Sequence, residues 1–266
     1  MGVITTPKIA ESGLALNPSA SPLDYPGRLV REDSLLVGAW LHPMDGPDVL
    51  ADGGPLGPGR LPLAAALARL GRPGPAQRRP VLAIGSNASP GQLLFKYAGL
   101  PGEPVVPMTA VTVDGLAVGH SAHVSRAGYV PWAPLARPGH RLAALLLWLD
   151  PEQLLLLDRT EPNYHRVPLP DGITVAGGPG RCELYRSRWG GLRPGPDAPA
   201  LAATSQLEVW AALLGRPWFA ALAGTRAARP ATVRMAAAPA LRDRARLALA
   251  EHGCAGPDRL DQSPPL

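Results

Sequence analysis

Thirty-three prolines and thirty glycines among 266 residues argue against a fold built from long regular elements. Proline removes a backbone donor and fixes one dihedral, while glycine loses the most chain entropy when held in a helix or strand. Apolar residues still make up 46% of the chain, enough for a sizeable core, and only 18% are charged. The expectation is a set of short elements joined by much irregular backbone.

Charge narrows the partners. The net charge is +5, and the basic residues are almost all arginine, with Lys8 and Lys96 the only lysines. Alongside abundant Ala, Gly and Pro, this reads as the composition of a GC-rich genome. A basic chain can attract an acidic partner, but the arginines form no run. Arg242, Arg244 and Arg246 would spread around a helix instead of forming one stripe. The six tryptophans sit in no nucleic-acid motif, so nucleic-acid binding is not expected. Cys182 and Cys254 are too few and too far apart for a zinc framework or a disulfide scaffold. No secretory signal opens the sequence, and the longest apolar run, 142–149, is far shorter than a membrane span. Met1-Gly2 with Thr6 matches a myristoylation pattern too short to carry weight. The reading is a soluble cytoplasmic protein without a membrane partner; oligomeric state is left open.

Punctuation divides the chain. Residues 1–79 read as a Pro/Gly-rich lead-in, partly disordered, with an extended piece at 35–41 and a helix at 61–70. Residues 80–190 form the main domain. Its opening run, 81–84, suits a buried strand and ends at Gly85-Ser86-Asn87. Ser89-Pro90-Gly91-Gln92 then supplies a helix start, with Ser as cap, Pro in the first turn and Gln three residues later. Residues 105–118 read as one or two strands and 142–149 as a strand buried on both faces. Asp150-Pro151-Glu152-Gln153 repeats the helix-start grammar, opening a helix to about Asp158; further strands are expected at 164–169, 173–175 and 181–188. Residues 191–254 form a helical extension, with a Ser205/Glu208 capping box in front of a helix at 209–214 and a second helix at 241–252, and 255–266 a tail. Many strands with short helices between them indicate α+β, or a small barrel, over a regular βαβ series.

Several chemistries fall away. Gly119-His120-Ser121-Ala122-His123 looks like a nucleophile elbow but ends in His, and two histidines three apart without carboxylate or cysteine company make a weak metal site. No metal is expected at these histidines. The Gly85 loop lacks both the P-loop ending and the dinucleotide spacing. A strand-to-helix glycine turn nevertheless offers unpaired N–H groups and a helix start that favours an anion, and Asn87 adds a side-chain amide. Glu161, before Pro162-Asn163-Tyr164, sits at an element boundary.

Together these residues carry a resemblance. Ile84-Gly85-Ser86-Asn87 after a strand resembles the Tyr-Gly-Ser-Asn loop of the gamma-glutamylcyclotransferase-like family. Leu145-Leu146-Leu147-Trp148-Leu149, the helix ending Leu157-Asp158, Glu161 and Tyr164-His165-Arg166-Val167 resemble that family's second block. The likeness covers residues 81–188. It implies a small mixed β-barrel flanked by short helices, with an irregular lead-in and C-terminal helices added. It also implies that Ile84, Gly85, Ser86, Asn87 and Tyr164 bind substrate and that Glu161 is the general acid/base. The implied reaction releases 5-oxoproline and a free amine from a small gamma-glutamyl compound, without metal or organic cofactor. A substrate that carries its own amine nucleophile needs no Ser–His pair, and one carboxylate can move the proton. Two departures stand out: Ile84 where the family has Tyr, and Pro162 where it has Gly. Asp158 is a rival acid. The other reading is a catalytically silent small-molecule binding or interaction module on the same fold.

Overall fold

The computed structural model describes residues 6–45, 48–51, 56–57 and 59–260. The lead-in contributes four strands: β1 (Ser34–Val37), β2 (Trp40–Asp45), β3 (Asp48–Ala51) and β4 (Gly59–Pro62). Helix α1 (Leu63–Arg69) follows. The main domain contributes β5 (Arg79–Ala83), helix α2 (Pro90–Lys96), β6 (Val105–His120), β7 (Trp132–Leu149), helix α3 (Pro151–Thr160), β8 (Tyr164–Pro168), β9 (Thr174–Ala176) and β10 (Glu183–Ser187). Beyond β11 (Gly191–Leu192) lie helices α4 (Gln206–Leu214), α5 (Pro217–Ala223), α6 (Ala228–Ala237) and α7 (Pro239–Glu251), then β12 (Ala255–Gly256).

The fold is α+β around one mixed sheet of ten strands, in the order β4-β3-β2-β1-β6-β7-β5-β10-β8 with β9 on β6. Among the described residues this sheet is not closed into the small barrel expected from the sequence. Among the described strands only β5 and β10 run parallel, which brings the start of the main domain beside its last strand. The long β6–β7 ribbon pairs from Met108–Leu147 to His120–Trp132, with one irregularity between Asp114 and Leu116.

The lead-in is more ordered than its punctuation implies. Strand β1 pairs with β6 from Ser34–Met108 to Val37–Val105, so the sheet crosses residue 80 without a break. The single extended piece expected at 35–41 is a hairpin, turning where Val37 pairs with Trp40. Part of the Gly/Pro run at 53–59 lies outside the described residues, as do Met1-Gly2 and the end of the tail at 261–266.

Strand alternation explains how the sheet is buried. Val81, Ala83, Leu145 and Leu147 face Leu93 and Tyr97 of α2 and Leu154 and Leu157 of α3. Leu82, Leu146 and Leu184 face the opposite side with Val113, Leu116 and Leu260. Side chains along a strand alternate between the two faces of a sheet, and the apolar run in β7 serves both. Arg78 is a buried structural residue. Its guanidinium donates to the carbonyls of Pro73, Val105 and Trp148 and to Gln153 Oε1, with Asp150 3.7 Å away. These hydrogen bonds and the Asp150 charge sustain the burial of such a group, while its Nη2 makes no hydrogen bond among the described residues.

The C-terminal helices have their own core, with Trp210, Leu213, Phe219, Met235 and Leu249 packed on Ala122, Val124 and Val130 from the β6–β7 connection. Ser205 and Glu208 form the expected capping box at α4. Gln206 clamps the connection by donating to the Val130 carbonyl and accepting its N–H, both at 2.8 Å. Helices α5 and α6 were absent from the sequence reading. Gly128, in the left-handed region at φ +92°, lets this connection touch α6: a Cβ there would lie 2.3 Å from the Thr232 carbonyl oxygen.

Candidate active site

A cavity of about 970 Å³ opens where the lead-in, the β5–α2 loop, the β6–β7 connection, the end of α3 and helix α6 meet. Ile84, Gly85, Ser86, Asn87, Glu161 and Tyr164 all line it. Strand β5 ends at Ala83 and delivers the loop, whose residues Ser86–Ala88 form one 3-10 turn. Helix α3 runs two residues past Asp158, which makes Glu161 its C-cap, where the chain leaves helical geometry.

Lysine and asparagine meet on the carboxylate. Asn87 Nδ2 donates to Glu161 Oε1 at 3.0 Å, and Lys96 Nζ donates to the same oxygen at 2.5 Å and to Asn87 Oδ1 at 2.7 Å. The side chains of Lys96 and Glu161 are only 6% and 14% exposed, so water screens this pair little. No protein partner for Glu161 Oε2 occurs among the described residues, which leaves that oxygen for a guest. Sequence reasoning missed Lys96. Its signal was there: one of two lysines in a chain that otherwise uses arginine.

Tyr25 is the second missed residue. Its hydroxyl oxygen accepts the Trp132 N–H at 2.9 Å. A Cβ on Gly85 would stand 2.8 Å from that hydroxyl, so glycine is what allows the approach. The Tyr25 ring stacks on Tyr129 with centroids 4.3 Å apart. Ile84 offers no hydroxyl, and the lead-in brings one to the same loop.

The anion-binding helix start foreseen from sequence is not free. The Gly91 N–H donates to the Leu14 carbonyl at 3.1 Å, and a Cβ on Gly91 would lie 2.6 Å from the Leu16 carbonyl oxygen. Ser89 makes no side-chain cap, and Gln92 reaches Ser19 Oγ at 3.2 Å instead of closing a box. The lead-in has taken the donors that the motif seemed to offer a ligand. At α3 the same grammar does close, with Asp150 and Gln153 bonded reciprocally.

Tyr164 contributes its ring to the wall, while its hydroxyl donates to the Trp132 carbonyl at 2.8 Å. Asp158, the rival acid, is outside the cavity lining and already committed. Arg166 grips it with two hydrogen bonds, at 2.9 and 3.0 Å, and Tyr185 donates at 2.7 Å. Partial burial pushes its carboxyl up, but the Arg166 and Tyr185 hydrogen bonds bring the net shift below the usual value.

A Ser–His pair, not evident in the sequence, stands at the cavity wall, with His123 on the lining and Ser121 behind it: Ser121 Oγ is 2.7 Å from His123 Nδ1. Burial, with the nearby Arg246 charge adding to it, holds the His123 imidazole down at about 3; burial holds His120 at about 4. Both stay neutral in the folded protein near neutrality. Once unfolded, each takes up a proton near pH 6.5. Their contribution is therefore complete above pH 6.5 and shrinks as pH falls, because the unfolded chain binds more protons. Between pH 6.5 and 5, each histidine should remove up to about 1.4 kcal/mol of stability per pH unit. Urea-unfolding midpoints across that window check this, and a flat profile would refute it.

No group of three His, Cys, Asp or Glu residues able to hold a metal ion occurs among the described residues. Among them, too, no helix is long and apolar enough to cross a membrane. No protein-family model matches the chain, and no curated protein matches it in sequence.

Proposed function

We propose that the cavity binds a small gamma-glutamyl compound and closes its glutamyl chain to 5-oxoproline, releasing a free amine. One observation carries this reading: the Glu161 carboxylate and the Asn87 amide of the Gly-Ser-Asn loop are hydrogen-bonded at 3.0 Å on the wall of one cavity. Glu161 Oε2 takes a proton from the substrate's α-amino group as that nitrogen attacks the γ-carbonyl carbon. The new C–N bond closes the ring, the γ-amide bond breaks, and the same carboxyl returns the proton to the departing amine. Lys96 and Asn87 hold Oε1, so the carboxylate meets the substrate in one orientation. The loop supports the oxyanion through backbone N–H groups, and the Tyr25 hydroxyl, whose oxygen already accepts, has its proton to give. Aromatic walls from Tyr129, Trp132 and Tyr164 favour a folded glutamyl chain in ring-closing geometry.

This reading makes the domain an open-sheeted relative of the gamma-glutamylcyclotransferase-like fold. Two buried cysteines without a disulfide, Cys182 and Cys254, suit a reducing, cytoplasmic setting. The test is incubation of the full chain with a panel of gamma-glutamyl amino acids, gamma-glutamyl amines and glutathione. Release of 5-oxoproline from at least one member is expected. Ligand-induced heat-stability shifts without any turnover would sink the enzyme reading and leave a silent binding module.

A further inference from the structure

We infer that His123 is a further binding residue of this cavity: its Nε2–H donates a hydrogen bond to a carboxylate or carbonyl oxygen of the bound small molecule. The inference deepens the proposed function and rests on it for the class of ligand. His123 lines the cavity beside Tyr164, with ring centroids 5.9 Å apart. It is 3% exposed, and its Nε2 has no hydrogen-bond partner among the described residues. A buried polar atom without a partner costs stability, so an unpaired one on a cavity wall is matched to a guest.

The hydroxyls behind it say which guest. The Trp189 N–H donates to Ser187 Oγ at 3.0 Å, Ser187 Oγ lies 2.6 Å from Ser121 Oγ, and Ser121 Oγ lies 2.7 Å from His123 Nδ1. Run in one direction, this relay places every proton: Ser187 donates to Ser121, and Ser121 donates to Nδ1. The ring proton then sits on Nε2. The reverse order would make Ser121 accept from both Ser187 and His123. Its own proton would then have no acceptor at hydrogen-bond geometry, and if Ser121 instead donated to Ser187, the Ser187 proton would have none among the described residues. A neutral imidazole with Nδ1 occupied from behind offers the cavity a donor, and a donor calls for an oxygen. The requirement is sharpened because the start of α2 gives its Gly91 N–H to Leu14. Ser121 and Ser187 are positioning residues, acting through the ring.

Long-range proton–nitrogen correlation spectra of the full chain, with His123 assigned by loss of its signals in His123→Gln, test this directly. The expected result is an Nε2–H tautomer whose Nε2 resonance moves on saturation with 5-oxoproline. An Nδ1–H tautomer overturns the inference whatever the turnover assay gives. So does an unmoved His123 resonance when calorimetry shows 5-oxoproline bound, and in that case the cyclotransferase reading stands. Failure of both 5-oxoproline and glutamate to bind overturns it as well, with turnover judged separately. Among variants, His123→Gln keeps a donor near Nε2 and should bind 5-oxoproline within a few-fold of the parent. His123→Asn keeps only the Nδ1 side and should bind roughly ten- to a hundred-fold more weakly; a purely structural role predicts the reverse order.

Discussion

Glu161→Gln should slow 5-oxoproline release by roughly 10²–10⁴-fold while the protein stays folded. The substitution is nearly isosteric. Its amide oxygen can still accept from Lys96 and Asn87, which hold Oε1 at 2.5 and 3.0 Å. What disappears is the basic oxygen on the other side, which has no protein partner among the described residues. KM should change little, because the lost interaction belongs to proton transfer and not to ground-state binding. Steady-state kinetics on the best substrate of the panel check it, and full activity in the variant would remove Glu161 from the mechanism. Asp158 offers no ready substitute, since Arg166 and Tyr185 already hold it.

Lys96→Met is expected to destabilise the fold by about 3–5 kcal/mol, independently of any catalytic role. Methionine fills much of the same space but strands the Glu161 carboxylate, 14% exposed, without its cation, and removes the donor to Asn87 Oδ1. Adding Glu161→Gln to Lys96→Met should then recover part of the loss, because the charge left behind is the one that costs. Urea unfolding of both single variants and the double variant measures the coupling. Strict additivity, within about 0.5 kcal/mol, would mean that the pair contributes nothing beyond its members.

The two halves of the site were unequally legible. Gly85-Ser86-Asn87 could be found because a glycine turn between an apolar run and a helix start leaves a local trace. Glu161 could be found by its boundary position after a well-marked helix. Lys96, nine residues past Asn87, left only its rarity as a trace. Tyr25 left none, since what makes it a site residue is a hydrogen bond to Trp132, 107 positions away. Helices α5 and α6 escaped notice because short Ala-rich segments carry weak periodicity. Their burial comes from packing Phe219, Ala231 and Met235 against Trp210 and the β6–β7 connection.

The sequence by itself determined the local grammar: short strands, helix starts at Asp150 and Ser205, an apolar run fit for a strand buried on both faces, and a glycine loop facing a boundary glutamate. These depend on dihedral limits, side-chain alternation and capping, all of which act within a few residues. Only the tertiary structure decided that the lead-in joins the sheet through β1 and spends the donors at the start of α2. It also decided that the sheet stays open, that a lysine and a tyrosine from separate segments converge on the loop, and that a histidine from a third lines the same cavity. Such choices depend on which surfaces bury one another, and a local pattern of residues does not encode that.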